Sequence, residues 1–209
     1  MFRASLILLL FGWCVSSFAA PAAPLLVLGD SLSAAYGLSP GDGWVTLLEQ
    51  RLQQSPPARA VVNASISGET SAGGLARLPA LLAEHKPVLV IVELGANDGL
   101  RGLPLVEIRA NLTKILTTIQ ASKARALLVG IELPVNYGPQ YRDGLRTMYR
   151  GLATEINVPL VPFLLDGVAL DPALMQDDGL HPKAAAEPRV LKNIWDVLGP
   201  MLGALPKRH

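Results

Sequence analysis

The chain predicts an α/β fold, a three-layer α/β/α sandwich with a five-stranded parallel sheet between two layers of helices. Three observations lead there. Short, continuously apolar runs recur, as in L-L-V-L at 25–28 and V-L-V-I-V at 88–92, and runs of that kind without alternating polar positions suit strands buried on both faces. Between them lie longer segments whose apolar residues recur every three or four positions, the period of a helix with one buried face. Several runs stop at a glycine followed by short polar side chains, which is where an open parallel sheet places its functional loops.

The first strand is expected at Leu25–Leu28, after a Pro/Ala-rich stretch and before Gly29-Asp30-Ser31. Gly43–Gln53 carries Trp44, Val45, Leu47, Leu48 and Leu52 as a helical stripe, and Ser55-Pro56-Pro57 ends it. Ala60–Asn63 follows as the second strand, and Ser71–Glu84 as the second helix despite Gly73, Gly74 and Pro79. Pro87 leads into the third strand, the strongest apolar run of the sequence. Leu105–Gln120 has the clearest helical period, with Leu105, Ile108, Leu112, Ile115, Leu116 and Ile119 on one face. Ala126–Ile131, Tyr141–Glu155, Pro159–Phe163 and Ala184–Leu198 complete the series as strand, helix, strand and helix. No repeat or linker interrupts it, and the length fits one domain.

At the amino terminus, Met1-Phe2-Arg3, the apolar Leu6–Val15 and the small residues of Ser16–Ala23 together describe a secretory signal peptide at residues 1–19, with cleavage after Ala19 or, alternatively, after Ala22. The run is short for a membrane span, and the bulky Trp13 argues against a lipoprotein signal at Cys14. Export to a bacterial periplasm is therefore expected, with residues 20–209 as a single mature domain and no stable membrane insertion. The sequence holds 18 basic and 17 acidic side chains, so loss of Arg3 with the leader balances them and leaves no footprint for a nucleic acid. The only cysteine leaves too, which removes disulfides and thiolate metal sites from the mature chain.

Ser31 lies just past the first strand and is the candidate nucleophile, although Asp30 or Ser31 could instead cap a following helix. A serine hydroxyl attacks only when a base takes its proton, so a histidine with an orienting acid must exist elsewhere. Of the three histidines, His209 is terminal and His85 sits beside Lys86-Pro87 on a solvated helix end, which leaves His181 in Q-D-D-G-L-H-P. Asp178 precedes His181 by three residues across Gly179, so a turn can bring its carboxylate onto Nδ1 and leave Nε2 facing outward. Asp177 is the alternative acid, but adjacent side chains diverge. Donors for an oxyanion could come from the Val61–Gly68 segment, through the Gly68 N–H, and from the Asn97 amide after the third strand. Asp98 reads as a turn or cap residue.

Four blocks, G-D-S-L-S at 29–33, the Gly68 block, G-A-N-D at 95–98 and D-G-L-H-P at 178–182, together resemble the signature blocks of the SGNH or GDSL hydrolases, in that family's order and across nearly the whole mature region. The longer stretches N-A-S-I-S-G-E-T-S, V-E-L-G-A-N-D-G-L-R-G and M-Q-D-D-G-L-H-P are similar to its thioesterase and lysophospholipase branch. The resemblance implies a flavodoxin-like layout, Ser31 as nucleophile, Asp178 and His181 as acid and base, and an oxyanion hole made of the Ser31 and Gly68 N–H groups with the Asn97 amide. It implies hydrolysis of ester and thioester bonds in aryl esters, acyl-CoA and lysophospholipids through an acyl-enzyme. A monomer acting on such small acyl substrates, without cofactor or metal, is expected. Gly99, Leu100, Leu133, Pro134, Asn136 and Tyr137 are then expected to border the substrate, on the loops after the third and fourth strands. Glu132 stands where that branch usually has a basic residue, a departure that bears on fine substrate preference.

Other chemistries fit less well. A carbohydrate O-acetylesterase, the main alternative, would use the same residues in a shallower and more polar pocket. A nucleotide-binding protein would need a phosphate loop, and neither G-x-G-x-x-G nor G-x-x-x-x-G-K occurs. A metal hydrolase would need clustered ligands, and H-E-x-x-H is absent.

Overall fold

The computed structural model describes residues 22–203; the expected signal peptide at 1–19, Cys14 and His209 lie outside the described residues. Strands β1 (Ala22–Gly29), β2 (Arg59–Asn63), β3 (Leu89–Glu93), β4 (Arg125–Val129) and β5 (Leu160–Val161) form one parallel sheet in the order β2-β1-β3-β4-β5. The helices are α1 (Trp44–Gln53), α2 (Ser71–His85), α3 (Ala96–Leu100), α4 (Leu105–Ala121), α5 (Pro139–Ile156) and α6 (Glu187–Gly203). Among the described residues no helix is long and apolar enough to cross a membrane.

The apolar runs are continuous because each strand buries both faces. Leu25, Val27, Leu89 and Ile91 pack against Trp44 and Leu48 of α1 and Val190, Ile194 and Leu198 of α6. Their neighbours Leu26, Leu28, Val90 and Val92 pack on the other side against Leu78 of α2, Ile108, Leu112 and Ile115 of α4, and Leu152 of α5. The sheet thus divides two apolar layers, with α1 and α6 over one face and α2, α4 and α5 over the other. From β1 the chain moves to β2 and then crosses to β3 on the opposite side, so the order reverses between β1 and β3. At such a switch point the connections diverge and leave a crevice at the carboxyl ends of the two strands.

Several boundaries differ from those read in the sequence. β1 begins at Ala22 because the lost N–H of Pro24 falls where the register with β2 shifts, between Ala22 and Leu25. The five-residue α3 was not expected, since its Ala-Asn-Asp-Gly-Leu composition has no apolar period. α5 starts at Pro139, a residue tolerated in a first helical turn, and α6 runs past the exposed Pro200 to bury Met201. β5 is only two residues long.

One buried acid ties the layer of α1 and α6 together. Gly43 offers α1 no side-chain cap, and the Trp44 N–H instead donates to Glu187 Oε2 at 2.7 Å. Burial raises the Glu187 carboxyl to about 7, with the Trp44 N–H acting in the other direction. An acid raised in the folded state binds a proton that the unfolded chain has already released, so its stabilising effect is full below about pH 4.5 and is lost as pH rises through about 7. The wild-type stability should therefore fall over that interval relative to Glu187→Gln, which has no proton to lose, by on the order of 3 kcal/mol, with a matching fall in melting temperature. Thermal melts of both proteins across this range test it, and parallel curves would refute it.

Candidate active site

The carboxyl ends of β1 and β3 lie side by side, Gly29 paired with Glu93, and the chain turns sharply after each. No regular helix follows Gly29. Asp30 and Ser31 instead enter a run of turns in which Ala34 N–H donates to the Asp30 carbonyl at 2.9 Å and Tyr36 N–H to the Ser31 carbonyl at 3.1 Å. Glycine is required at 29 by crowding, since a methyl there would sit 2.7 Å from Ser33 Oγ and 2.9 Å from Glu93 Oε2. Ser31 emerges half-buried above this turn.

His181 reaches Ser31 from a tight loop across 150 residues of sequence. Met175 and Pro182 form an isolated antiparallel bridge, Gln176 N–H donates to the His181 carbonyl at 2.8 Å, and Gly179 turns the chain at φ +66°. The Gln176 amide donates both to the Tyr36 carbonyl and to the Pro182 carbonyl at 2.9 Å, joining this loop to the turn that carries Ser31. The Tyr36 ring packs on the imidazole with centroids 4.6 Å apart.

Within the loop, His181 Nδ1 lies 2.7 Å from Asp178 Oδ2, while Asp178 Oδ1 accepts the Leu180 and His181 N–H groups at 2.9 and 3.0 Å. Burial works against the Asp178 charge, but the Leu180 N–H and the contacts with His181 outweigh it and hold the carboxyl below its ordinary value. A carboxylate on Nδ1 selects the tautomer in which that nitrogen carries the proton. Nε2 is then left to accept from Ser31 Oγ, 2.8 Å away. Such a relay can draw the proton from the serine as its oxygen attacks an electrophilic carbon. Asp177 lies away from it, lining a separate surface depression with Leu170 and Pro172.

Of the oxyanion candidates, Ser31 and Asn97 line the crevice itself, and Gly68 lies in a segment next to it. Ile66 N–H donates to the Gly29 carbonyl at 3.1 Å and Asn97 Nδ2 to the Glu69 carbonyl at 3.0 Å, which brings the Gly68 segment beside the Ser31 turn. The backbone N–H groups of Ser31 and Gly68 have no acceptor among the described residues. Asn97, on α3, also donates to Asp30 Oδ2 at 3.1 Å. Both amide hydrogens are thus engaged, and an anion forming in the crevice would compete for one of them with the neutral Glu69 carbonyl. Asp98 faces away and accepts the Ser71 N–H at 2.8 Å, fixing the start of α2.

A cavity of about 160 Å³ opens beside Ser31, Asn97 and His181, walled chiefly by apolar side chains. Of the six residues expected to border a substrate, Leu100, Leu133 and Pro134 line it, whereas Gly99, Asn136 and Tyr137 do not. Gly99 stands behind the wall, where a methyl would press on Leu133 at 2.9 Å, and Tyr137 supports it by donating its hydroxyl to the Leu100 carbonyl at 2.9 Å. Sequence reading missed Ile131, Phe163, Leu164, Leu165 and Leu180 in the lining. Their position beyond the carboxyl ends of β4 and β5, or beside His181, was the available signal. Glu132 closes the rim, held by Arg146 through two hydrogen bonds of 3.0 Å, which lower its carboxyl below the usual range.

Two more acids, both buried, lie beneath the crevice. Glu93 Oε2 accepts the Asp30 N–H at 3.2 Å and the Ser33 hydroxyl at 2.7 Å, while Asp30 accepts from Leu32 N–H and from Asn97. Burial raises Asp30 to about 6, and burial with the adjacent Asp30 charge pushes Glu93 well above its ordinary value.

Residues 27–187 match the GDSL-like lipase/acylhydrolase family. The chain is 52% identical over 183 residues to Esterase TesA of Pseudomonas aeruginosa, covering 88% of this chain and 91% of the relative. It is 47% identical over 184 residues to the thioesterase 1/protease 1/lysophospholipase L1 of Escherichia coli, covering 88% and 87% respectively. The crystal structure of the psychrotrophic esterase EstA from Pseudoalteromonas sp., inhibited by monoethylphosphonate, superposes with a TM-score of 0.82 at 41% identity, over 87% of this chain and 100% of that one. With the family match extending from β1 to the start of α6, over the same doubly wound sheet, the chain belongs to the GDSL-like lipase/acylhydrolase family.

Proposed function

We propose that this chain is an exported serine hydrolase that cleaves carboxylic ester and thioester bonds of acyl substrates through a covalent acyl-enzyme. The observation that carries this reading is the unbroken relay from Asp178 through His181 to Ser31, with separations of 2.7 and 2.8 Å, opening on an apolar cavity. His181 Nε2 takes the Ser31 proton as Oγ attacks the acyl carbonyl carbon, and the Asp178 carboxylate balances the imidazolium. Charge moves onto the carbonyl oxygen, where the N–H groups of Ser31 and Gly68 and the Asn97 amide receive it. His181 then returns the proton to the departing oxygen or sulfur, the C–O or C–S bond breaks, and the acyl group stays on Ser31. Water repeats the sequence, giving its proton to His181 as it attacks, and the carboxylic acid leaves with Ser31 restored.

The substrate class is supported by the relatives, which are named as an esterase and as a thioesterase and lysophospholipase. It is supported as well by the cavity, whose volume of about 160 Å³ is close to the ~150 Å³ apolar space that admits a benzene ring and exceeds what an acetyl group fills. The exposed large apolar side chains among the described residues are Tyr36, Ile66, Val106, Val135 and Leu170. Each belongs to the connection that follows a different strand. Leu100, Leu133 and Pro134 would contact the acyl group, with Gly99 and Tyr137 supporting them and Asn136 exposed on the loop that follows. Export to the periplasm and a mature domain of residues 20–209 belong to the same reading, supported by the leader-like residues 1–19.

A panel of aryl esters, acyl-CoAs, lysophospholipids and acetylated sugars, assayed on the mature protein beside Ser31→Ala, tests the proposal. Aryl esters and acyl thioesters should be turned over at least tenfold faster than acetylated sugars. Selective deacetylation of sugars would move the protein to the O-acetylesterases, and no hydrolysis at all would reject a serine hydrolase.

A further inference from the structure

The buried acids beneath the crevice have no part in the relay, yet they connect its two sides. Glu93, the last residue of β3, is fully buried, and its Oε2 holds both the Asp30 N–H and the Ser33 hydroxyl, the residues just before and just beyond the Ser31-Leu32 step. The Asp30 carboxylate in turn accepts the Leu32 N–H at 3.0 Å and the Asn97 amide at 3.1 Å. We propose that Glu93 is a positioning residue for the hydrolysis, fixing through Asp30 both the turn that presents Ser31 and the plane of the Asn97 amide. The proposal rests on the roles given above to Ser31 and Asn97.

The chemistry of the pair explains how one acid can do this. Two adjoining carboxylates in a buried site would repel, so the pair carries one proton and one negative charge. Asp30 has the Leu32 N–H and the Asn97 amide to hold a charge, with the imidazole of His181 as a further favourable neighbour. Glu93 has only two donors on Oε2, and its Oε1 is buried with no hydrogen-bond partner among the described residues, an arrangement suited to a neutral acid. The proton of the pair is therefore assigned to Glu93, and the negative charge to Asp30. The other ionisable groups acting on the pair are few. Tyr149 lies near both acids, with its hydroxyl donated to the Leu94 carbonyl at 2.6 Å, and Asp98 acts on Tyr149 from the far side. Loss of the Glu93 proton as the pH rises would set two negative charges against each other, loosening the turn and the amide together.

The experiment compares wild type, Glu93→Gln and Glu93→Leu with an aryl ester as substrate, measuring kcat and KM across the alkaline range, with thermal melts at each pH and Ser31→Ala as control. An amide at this position keeps an oxygen for the Asp30 N–H and the Ser33 hydroxyl and carries no proton to lose. Glu93→Gln should therefore hold kcat within about threefold near neutrality and lose the alkaline decline of the wild type. Glu93→Leu should lower kcat about 10²-fold with KM little changed, the scale expected when reacting groups are displaced slightly. A folded Glu93→Leu protein with wild-type kcat, or a Glu93→Gln profile that superposes on the wild type at alkaline pH, would overturn the proposal. The second comparison decides the matter alone if the leucine variant does not fold. Retained turnover in Ser31→Ala would instead strike at the hydrolase reading itself.

Discussion

Ser31→Ala should lower kcat by about 10⁴- to 10⁶-fold while leaving the fold unchanged. The side chain of Ser31 makes a single hydrogen bond, to His181 Nε2, and supports no backbone group, so its loss removes the attacking oxygen and little else. The melting temperature should stay within a few degrees of wild type. His181→Ala should be similarly inactive, and the double variant no worse than either single one, because nucleophile and base act as a unit whose failures do not add. Asn97→Ala should cost less, about 10²- to 10³-fold, as the loss of one oxyanion donor among three. Burst kinetics with an activated aryl ester would show the first turnover missing in Ser31→Ala. A folded Ser31→Ala protein with wild-type turnover would remove the serine from the mechanism.

The parts of this molecule legible from sequence are those decided locally or by chemical necessity. Strands buried on both faces announce themselves as uninterrupted apolar runs, and α4 as a clean helical stripe, because burial of each depends mainly on its own pattern. Ser31, Asp178 and His181 could be picked out because few residue types can activate a hydroxyl and the chain has few histidines. The 2.8 Å contact between Ser31 and His181 was a requirement of the chemistry and could not be read from spacing. What sequence did not reveal depends on sheet order. Glu93 has no signal of its own in the sequence, and the pairing of β3 with β1 is what buries it against Asp30. Phe163 was read as the end of a longer strand, whereas β5 stops at Val161 and releases Phe163–Leu165 into the cavity wall. The short α3 has no apolar period, and distant partners hold the chain just before it and at its middle, Tyr149 on the Leu94 carbonyl and Ser71 on Asp98.

The second large effect concerns the acid that serves His181. Asp178→Asn should keep the loop, since its remaining oxygen can still accept the Leu180 and His181 N–H groups at the positions now 2.9 and 3.0 Å away. What it loses is the charge that favours the imidazolium and the acceptor that selects the Nδ1–H tautomer. An amide facing Nδ1 with its own N–H turns the ring to the other tautomer, in which Nε2 carries a proton and cannot take one from Ser31. The expected loss is about 10⁴-fold in kcat with KM little altered, on the scale known for the same exchange in a serine protease. Asp177→Asn should change kcat by no more than about twofold, because that side chain lines a separate depression and makes no hydrogen bond to the relay. Thermal melts measured beside kcat separate catalysis from folding, and both variants should melt close to the wild type. A folded, inactive Asp177→Asn protein set against an active Asp178→Asn protein would move the acid one residue upstream and contradict the 2.7 Å contact between Asp178 and His181 as the working arrangement.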